Sequence, residues 1–270
     1  MQPTITMLGT GYATATKCYN TCFVIEDQNT CLLVDAGGGN TILNQLETAN
    51  INIENIHHMF LTHAHTDHIL GAVWVVRIII QKMMQGKYTA PLHVYGHDKA
   101  IAVLKWICQN TLPPKFVKAI EDHVCMHTLQ DRERFSINNW QLLAFDIYST
   151  KEKQYGFRID FPFHTTLACL GDEPYNEQNH PYVHQVDWLL CEAFCLYKDK
   201  DIFHPYEKHH STALDAARLA QSLNVKNLLL YHTEDKNLET RKQSYTNEAK
   251  TAFNGNVFVP NDLEVIAIKQ

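Results

Sequence analysis

The sequence predicts an α/β protein in which two β-sheets pack face to face and helices cover their outer faces. Short β-rich runs alternate with segments of helical length and spacing along the whole chain. The two halves follow the same alternation, and in both of them acids and histidines come directly after strand-like runs. Because no Pro/Gly/Ser-rich or charged linker divides the halves, we expect a single domain over residues 1–270.

In the first half, short runs of β-branched and apolar residues between turn-forming Gly, Asp and Asn predict strands. Apolar residues at helical spacing predict helices, and the long apolar run 69–84 predicts a buried one. A short apolar strand at 57–61 leads directly into a histidine-rich sequence. In chain order, the predicted elements are strands at 5–8, 21–26 and 31–34, a helix at 41–49, a strand at 57–61, a helix at 69–84, a strand at 92–95 and a helix at 98–109.

The second half predicts the same alternation of strands and helices. Ser211, followed by Thr212 and then Asp215, is typical of a helix start, so we expect a helix from Ser211. The apolar run that ends at Tyr231 predicts a strand whose end carries a histidine. In chain order, the predicted elements are strands at 141–148, 156–160, 166–170 and 188–192, a helix at 211–223, and strands at 228–231, 257–259 and 264–268.

The composition is that of a mildly acidic globular protein, with 23 Lys and Arg against 29 Asp and Glu and a formal net charge of −6. Because 45% of the residues are hydrophobic and 19% charged, disorder and collagen-like repetition are excluded. The negative charge disfavours broad binding to nucleic-acid phosphates. Without a signal-peptide pattern or a membrane-length apolar run, we expect a cytoplasmic protein whose eight cysteines are reduced core thiols.

One group of polar residues stands out because it concentrates metal ligands directly after an apolar strand. His63, His65, Asp67 and His68 lie within six residues, and neutral imidazole and carboxylate are ligands for Zn²⁺, Mn²⁺ or Fe²⁺. These side chains predict a metal site; the alternative is a solvated histidine-rich loop. Other histidines are scattered and are interpreted as surface or core groups, namely His93, His97, His123, His127, His180 and His184.

The sequence resembles the metallo-β-lactamase superfamily, whose signature is HxHxDH, and most closely its ribonuclease Z branch, the tRNA 3′-processing endonucleases. The resemblance extends over nearly the whole chain and implies an αββα sandwich. In such a sandwich two mixed sheets carry helices on their outer faces, and a two-metal site lies at one edge, where strand-end loops meet. The segments that carry it are, in order, LGTGYATATKCYNTCFVI, LVDAGGG, FLTHAHTDHILG, YGFRI, LGDEP, CEAF, HHSTALDAARLA and LLLYH.

The resemblance also implies a ligand set for one or two divalent transition metals, with Zn²⁺ preferred over Mn²⁺ or Fe²⁺. The first metal would bind His63 and His65, and the second would bind Asp67 and His68. Asp172 of LGDEP would bridge the two metals, although it can also be interpreted as a turn aspartate. His232, which follows the strand ending at Tyr231, would complete the second site or else be a strand-end cap.

One ligand of the family pattern is missing. Where ribonuclease Z has a histidine six residues before the Gly of the YG(F/Y)RI segment, this chain has Thr150. A hydroxyl is a poor substitute for imidazole as a metal ligand. Three alternatives remain open: the first site uses only its other ligands, a nearby group such as Glu152 completes it, or only the second site is filled.

A second pair, Glu192 of CEAF and His210 of HHST, matches a Glu/His couple of the family. In that couple the imidazole protonates a leaving alkoxide and the carboxylate orients and charges the ring. The other interpretations are a strand-end carboxylate for Glu192 and a helix-start neighbour for His210. Asp67 is expected to have a catalytic role as well, orienting or deprotonating the attacking water.

These residues predict a metal-dependent hydrolase that cleaves a phosphodiester or related ester with metal-activated water. The alternatives are a tRNA 3′-processing endonuclease and a non-catalytic metal-binding protein. Departures from ribonuclease Z weigh against a dedicated tRNA enzyme. Glu173 stands where the branch has Thr, and Ala-Gly-Gly-Gly-Asn follows LVD where the branch has a glycine-acid-glycine sequence. The connection from Asp172 to Glu192 is short, and no obvious glycine- and lysine-rich tRNA-clamping arm is present. We therefore expect a small-molecule or nucleotide substrate, with RNA and a homodimer as possible partners and no membrane association.

Overall fold

The computed structural model describes residues 2–269. Their strands form two sheets of seven strands each. The strands of the first sheet, in spatial order, are β14 (Val265–Ala267), β1 (Thr4–Gly9), β2 (Cys22–Glu26), β3 (Cys31–Val34), β4 (His58–Leu61), β5 (Leu92–Gly96) and β6 (Val124–Thr128). Those of the second sheet are β13 (Asn256–Phe258), β12 (Asn227–Tyr231), β11 (Trp188–Glu192), β10 (Thr166–Cys169), β9 (Tyr155–Asp160), β8 (Trp140–Asp146) and β7 (Arg134–Ile137).

Each sheet is half antiparallel and half parallel. In the first sheet β14, β1, β2 and β3 are antiparallel, while β3 to β6 are parallel. In the second sheet β7 to β10 are antiparallel and β10 to β13 are parallel. Parallel neighbours need a crossover, and helices provide most of these connections. The helices are α1 (Thr41–Thr48), α2 (Thr66–Met84), α3 (Asp98–Thr111), α4 (Pro114–His123), α5 (His180–Val183), α6 (Lys200–Phe203), α7 (Ala213–Ser222) and α8 (Leu238–Lys250).

Three large apolar layers hold the fold together. The middle layer lies between the sheets, where the rings of Phe60 and Phe157 meet with centroids 5.0 Å apart. The outer layers lie between each sheet and its helices: α2 buries Val75, Val76 and Ile79 against the first sheet, and α7 and α8 pack on the second. This arrangement confirms the predicted αββα sandwich with helices on the outer faces.

The parallel halves determine where the chemistry lies. In parallel strands the carboxyl ends share one edge of the sheet, and the residues that follow those ends converge there. Asp35 follows β3, the histidine motif follows β4, Asp172 follows β10, and His232 follows β12. The two parallel halves therefore bring residues far apart in the chain to one edge of the sandwich.

The predicted elements of the first 110 residues agree with the structure to within a few residues, and β3 and β11 have the predicted bounds. The helix expected at 69–84 begins three residues earlier, at Thr66, inside the histidine motif. The helix expected from Ser211 begins at Ala213, because Thr212 is its cap: Thr212 and Asp215 each bind the other's backbone N–H, a capping box. No helix among residues 2–269 is both long and apolar enough to cross a membrane.

Candidate active site

The histidine motif lies where β4 ends and α2 begins. His63 and His65 are in the connecting loop, and His65 is the residue that precedes the first turn of α2. Asp67 and His68 belong to that first turn and are buried. The helix therefore presents its two ligands from a rigid element, while the loop presents the other two beside them.

The structure brings the six predicted metal ligands together in two groups. His63, His65 and Asp172 form one of them, and Asp67, His68 and His232 form the other; within each group the ligand atoms lie within 4.8 Å of one another. The first group corresponds to the first metal position of the expected ligand set, and the second group to the second. We call these groups the first and the second metal position.

Asp172 lies between the two positions. Its Oδ2 atom is 3.8 Å from Nε2 of His63, 3.6 Å from Nε2 of His68 and 3.5 Å from Nε2 of His232. The preceding Gly171 has a φ of +76°, a left-handed conformation that glycine adopts without strain. One carboxylate oxygen thus faces ligands of both positions, which is the placement expected of a bridging ligand.

Each of three ligand imidazoles is oriented by an oxygen on its other nitrogen. Nδ1 of His68 lies 2.7 Å from Oδ2 of Asp35. Nδ1 of His63 lies 2.9 Å from the hydroxyl of Thr62, and that hydroxyl in turn donates to Asp35 at 2.6 Å. Nδ1 of His232 lies 3.2 Å from the hydroxyl of Thr21. Such partners of the remote nitrogen direct Nε2 toward the other predicted ligands. Nε2 of His63 lies 2.8 Å from Nδ1 of His65, its neighbour in the first group.

The donor set fits a divalent cation. Nε2 of His68 and Oδ1 of Asp172 are buried without a hydrogen-bond partner among the described residues. Buried polar atoms of this kind are rare in proteins and require a partner such as an ion or an ordered water. Imidazole nitrogen and carboxylate oxygen are the donors that Zn²⁺, Mn²⁺ and Fe²⁺ accept, so a cation between these side chains would satisfy both atoms.

Burial also keeps two imidazoles in the form that binds metal. It lowers the pKa of His63 well below its ordinary value and that of His232 to about 3. Burial alone would raise the pKa of Asp172, but the neighbouring His63 and His68 hold it well below the usual range. Neutral imidazole and ionised carboxylate are the protonation states that metal binding requires.

Thr150 is connected by a hydrogen bond to Glu173, the residue after Asp172 of the first metal position. The backbone N–H of Thr150 donates to Oε2 of Glu173 at 3.2 Å, and its exposed hydroxyl lies 3.2 Å from Nδ1 of His209. Glu152, the suggested substitute ligand, forms an ion pair with Lys99 at 2.5 Å and belongs to neither ligand group. The residue at the missing histidine position is therefore in contact with an imidazole, that of His209.

The predicted acid pair lies beside the second metal position. Oε2 of the fully buried Glu192 is 3.5 Å from Nδ1 of His210, and its other oxygen accepts a hydrogen bond from the backbone N–H of Ser211. The ring of His210 lies 5.3 Å from that of His232, centroid to centroid. Burial opposes a charge on His210, yet Glu192 raises the pKa of this imidazole above its ordinary value.

Sequence reasoning missed the residues that orient the ligands, Asp35, Thr62 and Thr21. Asp35 follows β3 directly, so a carboxylate after a buried strand was the available signal. The two threonines carried no such signal, because a hydroxyl beside a histidine in space is distant from it in the chain. The histidines interpreted as scattered are partly clustered: Nδ1 of His93 lies 2.9 Å from Nε2 of His127.

Comparison with known proteins places this chain among metallo-β-lactamase fold proteins. Its structure matches that of the metallo-β-lactamase fold protein YhfI from Bacillus subtilis, with a TM-score of 0.79 and 20% identity over 98% of this chain and 99% of that one. It also matches the short form of human tRNase Z, with a TM-score of 0.76 and 21% identity over 99% and 100% of the two chains. At these identities the likeness shows the fold.

Among curated relatives, the ribonuclease Z of Pyrococcus abyssi is 31% identical over 179 residues, which are 63% of this chain. The alignment spans 54% of that relative, about half of its length. A family model describing the Anti-Pycsar protein Apyc1 matches residues 3–257. Since this match extends over nearly the whole chain, the protein, which has the metallo-β-lactamase fold, belongs to the Anti-Pycsar protein Apyc1 family.

Proposed function

We propose that this protein is a metal-dependent phosphodiesterase. The observation that carries the proposal is the position of Asp172, whose Oδ2 atom lies within 4 Å of imidazole nitrogens from both metal positions. A buried carboxylate shared in this way is suited to hold two cations close together, the arrangement that enzymes use to clamp both oxygens of a phosphoryl displacement.

Divalent ions bound there would supply Lewis-acid chemistry to phosphoryl and water oxygens. We propose Zn²⁺ as the resident ion, because borderline imidazole donors dominate the set; Mn²⁺ and Fe²⁺ share the same donor preferences. His63, His65 and Asp172 would hold one ion, and Asp67, His68 and His232 the other. Asp172 would also serve the second ion, because its Oδ2 atom faces His68 and His232.

Asp67 is proposed to orient the attacking water and to accept its proton. Its Oδ2 atom lies 3.3 Å from Nε2 of His68, within the second metal position. Burial alone would raise the pKa of Asp67, but His68 holds it well below the usual range. The carboxylate is therefore ionised and can accept a hydrogen bond from water.

His210 is proposed to protonate the leaving oxygen. It stands beside the second metal position, with Glu192 at 3.5 Å favouring its charged form. Its side chain is mostly buried, between Phe194 at 5.1 Å and His232 at 5.3 Å, centroid to centroid. A positioned imidazole whose raised pKa favours the protonated form is a suitable general acid.

We propose a small nucleotide phosphodiester as substrate. The net charge of −6 disfavours a long polyanion, whose backbone binding depends on many Lys and Arg contacts. The second candidate is an RNA substrate, which the curated ribonuclease Z relative favours. Cytoplasmic location, and a homodimer like those of the ribonuclease Z branch, are further parts of the proposal.

A substrate panel tests the proposal and separates its rivals. Purified protein should hydrolyse bis-(p-nitrophenyl) phosphate and small nucleotide phosphodiesters, both cyclic and linear, and excess chelator should abolish both activities. Under the same conditions we expect little cleavage of precursor tRNA. Faster cleavage of precursor tRNA than of every small diester would favour the RNA enzyme. Metal binding without turnover of any substrate would leave a non-catalytic metal-binding protein and refute the proposal.

A further inference from the structure

We propose that His209 supplies the imidazole ligand that the first metal position lacks at Thr150. The inference rests on the metal site of the proposed function and concerns only which residue completes it. Catalytic Zn²⁺ sites in proteins have three protein ligands and a water. The first position holds two imidazoles and the carboxylate of Asp172, which also faces His68 and His232 of the second position, so it has only two ligands of its own. One further nitrogen donor would give the first position a full set.

The imidazole of His209 lies against Thr150, the residue at the missing histidine position. Its Nδ1 atom is 3.2 Å from the hydroxyl of Thr150, although 59 residues separate the two in the chain. The backbone N–H of Thr150 donates a hydrogen bond to the side chain of Glu173, the residue after the bridging Asp172. His210, the residue after His209, contacts His232 of the second position. His209 therefore contacts Thr150, which is hydrogen-bonded next to Asp172, and precedes His210, which contacts His232.

The contact between Thr150 and His209 repeats a pattern already present in the ligand set. His63 and His232 each place Nδ1 against a threonine hydroxyl, that of Thr62 at 2.9 Å and that of Thr21 at 3.2 Å. His209 places Nδ1 against a threonine hydroxyl at the same distance as His232 does. In both ligand histidines this contact leaves Nε2 facing Oδ2 of Asp172, at 3.8 and 3.5 Å. The same assignment for His209 leaves its Nε2 available for an ion.

The backbone at His209 makes glycine a suitable replacement in a test of its side chain. This residue has a φ of 54° and a ψ of 52°, a left-handed conformation at the end of a short 3₁₀ turn. Glycine adopts it freely, whereas a residue with a β-carbon is disfavoured there by roughly 1 kcal/mol. The exposed side chain makes its described hydrogen bond only with Thr150, so local packing does not account for the imidazole.

Two loops must stay in contact for His209 to bind, and a separate bond connects them. Nζ of Lys151 donates to the backbone oxygen of Lys208 at 3.1 Å, which joins the residue after Thr150 to the residue before His209. The ring of His209 is outside the 4.8 Å ligand groups, so we expect this exposed side chain to turn inward when the ion binds.

The test moves the imidazole from one position to the other and counts bound ions. The variants are His209→Gly, Thr150→His and the double variant, and His204→Gly is the matched control. His204 is also exposed and left-handed, with a φ of 50°, but its partner is Glu207. Each protein is dialysed against Zn²⁺ or Co²⁺, bound ions are measured by elemental analysis, and the Co²⁺ absorption spectrum reports the ligand set.

We expect native protein and the His204→Gly control to bind two ions per chain. His209→Gly should bind the weaker ion at least roughly 10-fold less tightly, since even removing an outer-shell partner costs 10–100-fold. The double variant should regain two ions, with a Co²⁺ spectrum like the native one. If His209→Gly is poorly folded by circular dichroism, His209→Asn replaces it, because Asn tolerates the left-handed conformation.

Undiminished two-ion binding in the folded His209 variants would overturn the inference, and so would a native protein that binds only one ion at saturation. The readout is independent of catalysis. Loss of the weaker ion in a protein without phosphodiesterase activity would support the ligand assignment while refuting the proposed function.

Discussion

Asp35 and His68 form the closest contact between a predicted metal ligand and the residue that orients it, with Oδ2 of the carboxylate 2.7 Å from Nδ1 of the ring. The same carboxylate accepts hydrogen bonds from the hydroxyl and the backbone N–H of Thr62, at 2.6 and 2.9 Å. Asp35 thereby connects the end of β3, the end of β4 and the first turn of α2. One buried carboxylate aligns elements on which both metal positions depend.

Asp35→Asn should weaken metal binding while leaving the fold intact. The amide has nearly the same shape but lacks the charge that favours donation from Nδ1 of His68, and outer-shell changes of this kind cost roughly 10–100-fold in metal affinity. The measurement is Zn²⁺ affinity by competition with a chromogenic chelator. Asp160→Asn, which removes a surface ion pair with Arg158, is the control. Equal affinities in both variants would mean that Asp35 does not orient the ligand.

His68→Ala should remove at least one ion per chain. His68 is central to the second position, because its Nε2 atom lies 3.3 Å from Asp67 and 3.6 Å from Asp172. Elemental analysis of the purified variant should show this loss against the native protein, and His204→Ala should retain the native content. Full metal retention in His68→Ala would contradict the assignment of the second position.

His210→Ala should slow the hydrolysis of substrates with poor leaving groups more than that of substrates with good ones. A nucleoside alkoxide needs a proton in the transition state, and general acid catalysis contributes roughly 10²–10⁴-fold. Nitrophenolate leaves with little help, so p-nitrophenyl esters should be much less affected.

Two readouts separate this role from others. Metal content should remain near native in His210→Ala, and Glu192→Gln should reproduce its leaving-group dependence more mildly, because it removes the charge that favours the imidazolium. Equal losses on both substrate types would indicate positioning instead of proton transfer. Loss of metal would make His210 a ligand.

The free energy of unfolding should decrease as the pH falls, because of His58, the first residue of β4. Burial, assisted by His93, lowers the pKa of His58 from 6.5 to about 4. The unfolded chain therefore binds this proton first, so the stabilisation is complete above pH 6.5 and is lost as the pH falls from about 6.5 to about 4. Because the ring is only half-buried, solvent screening reduces the contribution to about 1–2 kcal/mol.

The comparison is between the native protein and His58→Phe, both metal-free in excess chelator, by urea denaturation at pH 7 and pH 4.5. Phenylalanine preserves the stacking on His93, where the ring centroids are 5.4 Å apart, but does not titrate. Between pH 7 and pH 4.5, the free energy of unfolding should fall by about 1–2 kcal/mol more in the native protein than in His58→Phe. Parallel pH profiles would show that His58 is not responsible.

Much of the fold could be predicted because its signals are local. The apolar runs of β3 and β11 predicted their bounds, since each is buried along its whole length. Helix α8 was missed because it buries only Arg241, Tyr245 and Ala249 and its sequence is otherwise polar. The edge strand β7 was missed for a similar reason, with a single fully buried residue in four.

The candidate site also contains residues that could be predicted from the sequence and residues that could not. The motif from His63 to His68 is continuous in the chain, and Asp172 and His232 follow strand ends, so their types and places could be inferred before the structure. The contact between Thr150 and His209 could not, because neither residue carries a local signal and only the folded chain brings their loops together. Residues that orient or replace ligands act through contacts with residues distant in the chain, and a single sequence does not show such contacts.

The central claim, a phosphodiesterase whose chemistry depends on ions held around Asp172, is tested most directly by reconstitution. Metal-free protein is titrated with Zn²⁺ while bound ions and hydrolysis of bis-(p-nitrophenyl) phosphate are measured together, in parallel with Asp172→Asn. We predict that the metal-free protein is inactive, that activity returns as ions bind, and that Asp172→Asn binds fewer ions and stays inactive. Undiminished hydrolysis by protein verified to be free of metal would contradict the account.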